Sequence, residues 1–231
     1  MDLKKILSFF IVIIIIFYLV VEIGVPVYVE KQITRRIKNN FDNPHDITVE
    51  VETFPPWELL FAMADKVKVK ADTLTYQGIE MDNVVSHYKN ILIDSGEIQG
   101  KNTDLNIVIT EENLNRYLHQ KYSALKNLEV HLQPENVFMK GEINVFGSPV
   151  KLKVNGSFKI KEGNRILFVP GEVEIEKLKI SKNVLNQFIK DAGYAFNLEK
   201  IGFPVTVDYI KIQKNQLLLL SGNFAERAGV K

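Results

Sequence analysis

The N-terminal part of the chain is an unbroken run of apolar residues. From Ile6 to Val21 only one serine and one tyrosine interrupt the aliphatic and phenylalanine side chains, and no charge occurs between Lys5 and Glu22. As an α-helix this run would be roughly 24 Å long, a little short of the roughly 30 Å hydrocarbon core of a bilayer, and the apolar residues up to Val29 can extend it. The sequence therefore predicts a segment that spans a membrane or directs export.

Two interpretations fit this segment. Lys4 and Lys5 before a short apolar stretch are typical of a cleaved secretory signal peptide. No small–x–small cleavage site follows the run, which favours an uncleaved anchor over residues 1–24. The positive-inside rule then predicts a single-pass protein with its N-terminus in the cytoplasm and its main domain outside. The predicted anchor residues are Ile6, Phe10, Ile14, Phe17 and Val21.

The composition excludes several classes of protein. Of the 231 residues, about 200 remain after the anchor, enough for one domain (residues 25–224) and a short C-terminal tail (residues 225–231). A formal net charge of +1 argues against nucleic acid as a partner, because nucleic-acid binders concentrate basic residues. The absence of cysteine excludes disulfides, thiolate nucleophiles and cysteine-ligated metals, and it fits a bacterial cell envelope.

The strongest strand signal runs from Val150 to Lys161, where apolar and polar residues alternate without a break. Such alternation is typical of a strand with one dry and one wet face, here roughly 40 Å long. Gly156 in its middle predicts a bend or a bulge. Similar patterns predict a total of about nine strands. The others are residues 47–52, 66–73, 79–94, 128–133, 136–146, 165–180, 204–213 and 216–223.

Three segments have helical periodicity. Residues 25–41 carry an apolar side chain at every fourth position, and Pro26 is acceptable in a first helical turn. We expect this helix to continue the anchor with a kink. The other two segments begin at Thr110 and Ser181, and each follows an apolar strand end. Their similarity is consistent with a duplicated strand–helix–strand unit.

The balance of strands and helices predicts a groove. Three helices of modest length can shield only part of a sheet of about nine strands, so the sheet must close on itself or curl around something apolar. We predict an α+β fold in which a strongly curved antiparallel sheet wraps around helices. In a domain tethered to a membrane the natural occupant is a lipid chain; the alternative is a dry core. The candidate lining residues are Leu114, Leu118, Leu128, Val130, Leu132, Val150, Leu152, Val154, Phe158, Ile160, Leu185 and Phe188.

The single tryptophan, Trp57, follows two prolines, and Phe61 lies four residues later. Because an indole ring is stable in half-wet surroundings, this pair is a candidate for the mouth of the groove or for the membrane interface. The alternative is that Trp57 is a core side chain that fixes the turn.

No motif in the chain predicts catalysis. None of the four histidines (His45, His87, His119 and His131) has a metal-binding spacing. There is no Gly-x-Ser-x-Gly elbow and no glycine-rich phosphate loop. We therefore expect no catalytic residue, no metal and no cofactor, and we expect that the protein is not an enzyme.

Five short motifs, taken in order, resemble those of a known family. They are Val25-Pro26, Phe54–Leu60, Ile109–Leu118, Val145–Val150 and Phe203–Val205. Over about residues 25–224 the chain resembles the LmeA-like phospholipid-binding family of bacteria. The resemblance implies a tubular lipid-binding (TULIP-like) architecture with an elongated apolar cavity, and phospholipid binding outside the cytoplasmic membrane. An uncleaved anchor is not part of what the resemblance implies. Phospholipid binding can therefore be inferred from the resemblance more safely than a role in one particular pathway.

Two functional hypotheses follow. The first is a membrane-anchored extracytoplasmic protein that holds the acyl chains of phospholipid in an apolar groove and acts in envelope lipid homeostasis. Its partners would be phospholipid and the cytoplasmic membrane. The alternative is a structural or interaction protein of the envelope that binds a protein partner, which the sequence does not identify. A lipid-modifying enzyme is third.

Overall fold

The computed structural model describes residues 3–42, 44–122, 126–145, 148–175, 195–199 and 201–230. Most of the helix predicted from Ser181 onward, including the candidate lining residues Leu185 and Phe188, lies outside these ranges. The predicted end of that helix falls in a described strand, Ala195–Asn197.

The chain begins with one continuous helix. It consists of α1 (Leu3–Leu19), a π-helical turn (Val20–Gly24) and α2 (Val25–Asn40). Pro26 has no N–H to donate to the carbonyl four residues back, and a wider turn directly before it accommodates that loss. The prediction that α2 continues the anchor is confirmed, and the irregularity at the junction is the π-helical turn.

This helix is long and apolar enough to cross a membrane. Its stretch from Ile6 to Asn40 is 35 residues long, and only 6% of the most apolar 18 residues is buried within the protein. The predicted anchor residues Phe10, Ile14 and Phe17 are all more than half exposed. Ile6 has intermediate exposure, whereas Val21 is buried.

Twelve strands and two further helices follow in the described part of the chain. The helices are α3 (Glu111–Lys121) and α4 (Gly222–Arg227). The strands are β1 (Thr48–Glu52), β2 (Met63–Tyr76), β3 (Ile79–Asp94), β4 (Glu97–Gln99), β5 (Asn102–Thr110), β6 (Leu128–Gln133), β7 (Asn136–Val145), β8 (Ser148–Lys161), β9 (Arg165–Ile175), β10 (Ala195–Asn197), β11 (Tyr209–Gln213) and β12 (Gln216–Ser221).

The strands form two curled antiparallel sheets. The first sheet has the order β1-β2-β3-β5-β12-β11, with β4 paired to β3, and the second has the order β10-β9-β8-β7-β6. They meet where the Asn215 amide donates to the Leu132 carbonyl at 3.0 Å and the Glu135 amide donates to the Ile212 carbonyl at 3.3 Å. The predicted α+β fold with curved antiparallel strands is confirmed, with the strands divided between two sheets.

Helix α2 packs on the first sheet. Its inward residues Ile33 and Ile37, one turn apart, are essentially inaccessible to solvent, and Phe41 follows them into the core. The Phe41 ring contacts the Phe203 ring at a centroid distance of 6.2 Å. The Glu30 carboxylate accepts a 3.0 Å hydrogen bond from the Val51 amide on β1. This bond satisfies a donor on the edge strand that would otherwise be free for another chain to pair with.

Helix α4 is held to β5 by one buried carboxylate. Asp104 is 5% exposed, and its Oδ1 atom accepts hydrogen bonds from the Asn223 amide (2.7 Å) and from the Asn223 side chain (2.8 Å). Burial alone would raise the pKa of Asp104, but the two hydrogen bonds from Asn223 and the neighbouring His87 outweigh burial and lower the pKa. The ionised carboxylate therefore stabilises the folded state.

We expect Asp104→Asn to lower the free energy of unfolding by about 1–3 kcal/mol at pH 7, because hydrogen bonds to a charged acceptor are lost. A carboxyl group with a lowered folded pKa stabilises the fold above its unfolded pKa of about 3.9 and ceases to do so as the pH falls through the folded value. The difference from wild type should therefore shrink at acidic pH. Thermal unfolding by circular dichroism of the full chain in lipid nanodiscs measures both effects.

The matched control is Asp72→Asn, since Asp72 is an exposed aspartate on β2. This change should leave stability the same at either pH. An equal loss in both variants would contradict the role given to Asp104.

Candidate functional site

The second sheet presents one continuous apolar face. Val130, Met139, Val154 and Val173 are successive cross-strand partners from β6 to β9, so their side chains lie on the same side. We call this side the inner face. It comprises Leu128, Val130 and Leu132 on β6, Val137 and Met139 on β7, Val150, Leu152, Val154, Phe158 and Ile160 on β8, and Ile166, Phe168 and Val173 on β9.

All eight strand residues predicted to line a groove thus share one face of one sheet. Five further residues of this face were missed, although period-two alternation in their strands could have identified most of them: Val137, Met139, Ile166, Phe168 and Val173. The opposite side is charged: Lys153 pairs with Glu174 at 3.5 Å and lies over the Phe138 ring. A surface cavity of about 450 Å³ on this charged side is lined by three lysines and two glutamates, together with Gly141 and Leu152.

The inner face bends at Gly156. The register of β8 and β9 shifts between Val154 and Gly156, so an extra residue of β9 bulges from the ladder, as the glycine predicted. A Cβ atom at Gly156 would stand 2.3 Å from the Phe168 ring and 2.9 Å from the Val169 carbonyl oxygen. The Phe168 ring therefore occupies the space that a side chain at position 156 would need, and it meets Phe158 edge-on at 5.7 Å.

Helix α3 covers one part of the inner face. Its buried side chains Leu114, Tyr117 and Leu118 pack against the face, and Phe196 on β10 joins them. The space left among these groups is about 10 Å³, which is barely enough for one water molecule. The predicted lining residues Leu114 and Leu118 are therefore in a closely packed contact.

Another part of the inner face is less covered. Val150, Phe158, Ile160 and Val173 have intermediate exposure, whereas Leu152 and Val154 between them are buried. We call these four side chains, three on β8 and one on β9, the half-buried strip; Phe158 is at its border, since it also lines the small cavity beneath α3. Partly exposed apolar side chains such as these can bury more surface against an apolar ligand.

Side chains of α3 also close the free edge of β6. The Asn115 side chain donates to the Val130 carbonyl at 2.8 Å and accepts from the Val130 amide at 2.7 Å. One turn to either side, the Glu111 carboxylate accepts from the Leu132 amide at 2.6 Å, and His119 Nε2 lies 2.8 Å from the Leu128 carbonyl. These residues are four apart in the helix, and their partners are two apart in the strand. Helix α3 thus takes the place of a neighbouring strand.

The titratable groups at this contact serve the structure. Burial raises the pKa of Tyr117 to about 12, and its hydroxyl accepts a 2.6 Å hydrogen bond from Lys121. His131 lies 3.3 Å from Glu111, next to the bonds that close the β6 edge. Among the described residues no three His, Asp or Glu side chains are grouped so that they could hold a metal ion.

Trp57 and Phe61 lie elsewhere, at the end of the apolar helix α1. They belong to a 3-10 turn, Pro56–Phe61, that contacts the π-helical turn. Trp57 is 54% exposed, so it is not a core side chain; Leu59 of the same turn is buried instead. The turn precedes the start of β2, whereas Gly78, at the far end of the β2–β3 hairpin, lies beside α3. At about 3.3 Å per residue, the hairpin separates Trp57 from α3 by roughly 40 Å.

Comparison with known proteins identifies the family. A model of the LmeA-like phospholipid-binding family matches residues 20–221, which is most of the chain and includes both sheets. The chain belongs to this family. The match begins in the π-helical turn and ends at the last residue of β12. The family is described by the lipid that it binds and not by a reaction. No curated protein and no solved structure matches the chain.

We expect Asn115→Ala to weaken the closure of β6. It would leave the Val130 amide and carbonyl without partners, at about 1–3 kcal/mol for each buried polar group that stays unsatisfied. Hydrogen exchange measured by mass spectrometry should become faster in peptides that cover β6. Gln120→Ala, an exposed change on the same helix, is the control and should leave this exchange unchanged.

We expect Gly156→Ala to destabilise the protein by about 1–3 kcal/mol, because the new methyl group overlaps the Phe168 ring and a backbone carbonyl. Thermal unfolding of the full chain in nanodiscs measures this loss. At Gly171 on β9 a Cβ atom would meet only the Asn155 carbonyl group, at ordinary contact distances of 3.4 Å from the oxygen and 3.9 Å from the carbon. Gly171→Ala should therefore be nearly neutral, and equal losses in the two variants would argue against the packing described here.

Proposed function

We propose that this protein binds phospholipid acyl chains on the inner face of its second sheet while α1 anchors it in the cytoplasmic membrane. The supporting observation is the inner face itself. Four strands of a member of a phospholipid-binding family present a continuous apolar surface, and a strip of it at Val150, Phe158, Ile160 and Val173 is only half-buried.

Binding energy would come from the acyl chain. Each CH₂ group removed from water contributes about 0.8 kcal/mol, so several must be buried before the cost of parting packed side chains is offset. The half-buried strip offers a place where a chain can begin to bind without this cost. Extension toward α3 requires Leu118 and Phe168 to move apart, because the cavity between them is so small. Such a site selects for chain length more than for headgroup.

The orientation of the chain follows from its charges. Lys4 and Lys5 precede the apolar run, and a positive flank stays on the cytoplasmic side of a membrane. The two sheets would then lie outside the cytoplasmic membrane, within reach of lipids of the envelope. This location and the membership of the family support a role in envelope lipid homeostasis.

The packing of α3 on the inner face favours a second candidate. A cavity of about 10 Å³ is what a dry structural core would show. In that case the protein would be a structural or interaction protein of the envelope, and the inner face would hold the sheets together instead of holding lipid.

Photocrosslinking from the half-buried strip separates the two candidates. A photoreactive benzophenone amino acid replaces Phe158 in the full chain, which is reconstituted into vesicles with radiolabelled phospholipid and irradiated. We expect labelled lipid to become attached to the protein. The control carries the same amino acid at Lys159, the next residue of β8, which is exposed on the opposite side of the sheet.

Lipid attachment from position 158 and not from position 159 supports lipid binding on the inner face. Equal attachment from both positions would mean general proximity to the bilayer, and no attachment from position 158 would favour the dry core. Either result would contradict the proposal.

A further inference from the structure

Outside the anchor helix, all but one of the exposed large apolar side chains of the described residues lie in one place. Beyond Tyr28 the described residues include seven exposed large apolar side chains, and only Tyr209 lies apart from the others. The other six, which are between 41% and 84% exposed, form what we call the basal patch. The basal patch consists of Phe54, Trp57, Leu60, Phe61, Met63 and Leu92.

The basal patch lies beside the helix that leaves the membrane. Its 3-10 turn, Pro56–Phe61, contacts the π-helical turn Val20–Gly24, and Val21 is 6% exposed as a result. Met63 and Leu92 are direct cross-strand partners at the adjoining end of the β2–β3 hairpin. The 17 residues of α1 span roughly 25 Å, so the π-helical turn comes where the hydrocarbon core gives way to headgroups.

The local structure holds the patch in place. The Phe54 amide donates to the Asp65 carboxylate at 2.8 Å, and the Ile93 amide donates to the Ala62 carbonyl at 2.7 Å. Leu59 is buried beneath the turn, so its neighbours Leu60 and Phe61 are directed away from the core. The exposed side chains therefore belong to a turn whose two ends are fixed by hydrogen bonds.

We propose that the basal patch inserts into the membrane leaflet on the domain's side, as a second membrane contact beside the anchor. The bilayer is the occupant that the geometry favours, since the patch is continuous with the spanning helix and lies at the depth of the interface. Tryptophan and phenylalanine are stable at that depth, where a ring is apolar on one side and wet on the other. With two contacts, the sheets hold a fixed tilt to the membrane instead of swinging on the helix.

This proposal rests on the proposed anchoring by α1 but not on lipid binding at the inner face. A second copy of the chain or a protein partner could also cover an apolar patch. Such partners would shield the patch from water without bringing it into contact with acyl chains. An experiment that measures both kinds of contact can therefore distinguish a protein partner from the bilayer.

The single tryptophan of the chain reports on the patch directly. The full chain is reconstituted into phosphatidylcholine vesicles, and only floated vesicles that carry the protein are measured, so that failed anchoring is distinguished from failed insertion. We expect blue-shifted Trp57 emission and protection of Trp57 from iodide in the water. Lipids brominated near the headgroup end of their chains should quench the emission strongly, and lipids brominated near the chain ends should quench it less.

The variant Phe61→Asp places a charge in the patch and should cause loss of the bromolipid quenching and gain of quenching by iodide. Tyr209→Asp, a change of an exposed aromatic residue outside the patch, should leave the wild-type profile unchanged, and circular dichroism checks that both variants fold. Iodide quenching without bromolipid quenching in the wild type would overturn the proposal. Protection of Trp57 from both quenchers would also overturn it, because a protein surface would then cover the patch.

Discussion

The packing of α2 on the first sheet is the contact on which the rest of the structure depends. Ile33 and Ile37 are buried on the sheet, while the same continuous helix runs back through the π-helical turn into the apolar segment. The interaction that buries α2 therefore also determines where the domain stands relative to the apolar helix α1. A flexible linker at this position would leave the domain free to turn away from the membrane.

Both sheets protect an edge by the same means. On the first sheet Glu30 from α2 accepts from the amide of Val51, and on the second sheet Asn115 from α3 pairs with both backbone groups of Val130. Helices with polar side chains at the right spacing thus satisfy edge strands that would otherwise pair with other chains. In a protein with long strands, this closure leaves fewer free backbone groups with which another chain could pair, while the inner face stays apolar.

Much of the second sheet could be predicted because period-two alternation marks both the strand and its buried side; the inner-face residues from Val150 to Ile160 are an example. The packing of α3 could not be predicted in this way. Leu114 and Leu118 reveal an apolar helix face, but not that the face packs with almost no free space. The role of Asn115 depends on which strand lies beside it, and pairing between distant segments leaves no local pattern. Trp57 was a candidate for two environments, and only its exposure of 54% decides against the core.

The length of the β2–β3 hairpin limits how a lipid could reach α3. One leaflet of a bilayer, headgroups included, is about 20 Å thick. The hairpin runs from Met63 beside the anchor to a turn that touches α3, at about twice that distance. Where the hairpin stands upright on the membrane, a phospholipid held beside α3 would have left its leaflet completely. In that geometry, binding beside α3 would begin with the exit of an acyl chain from the bilayer, and the apolar inner face would then shield that chain from water.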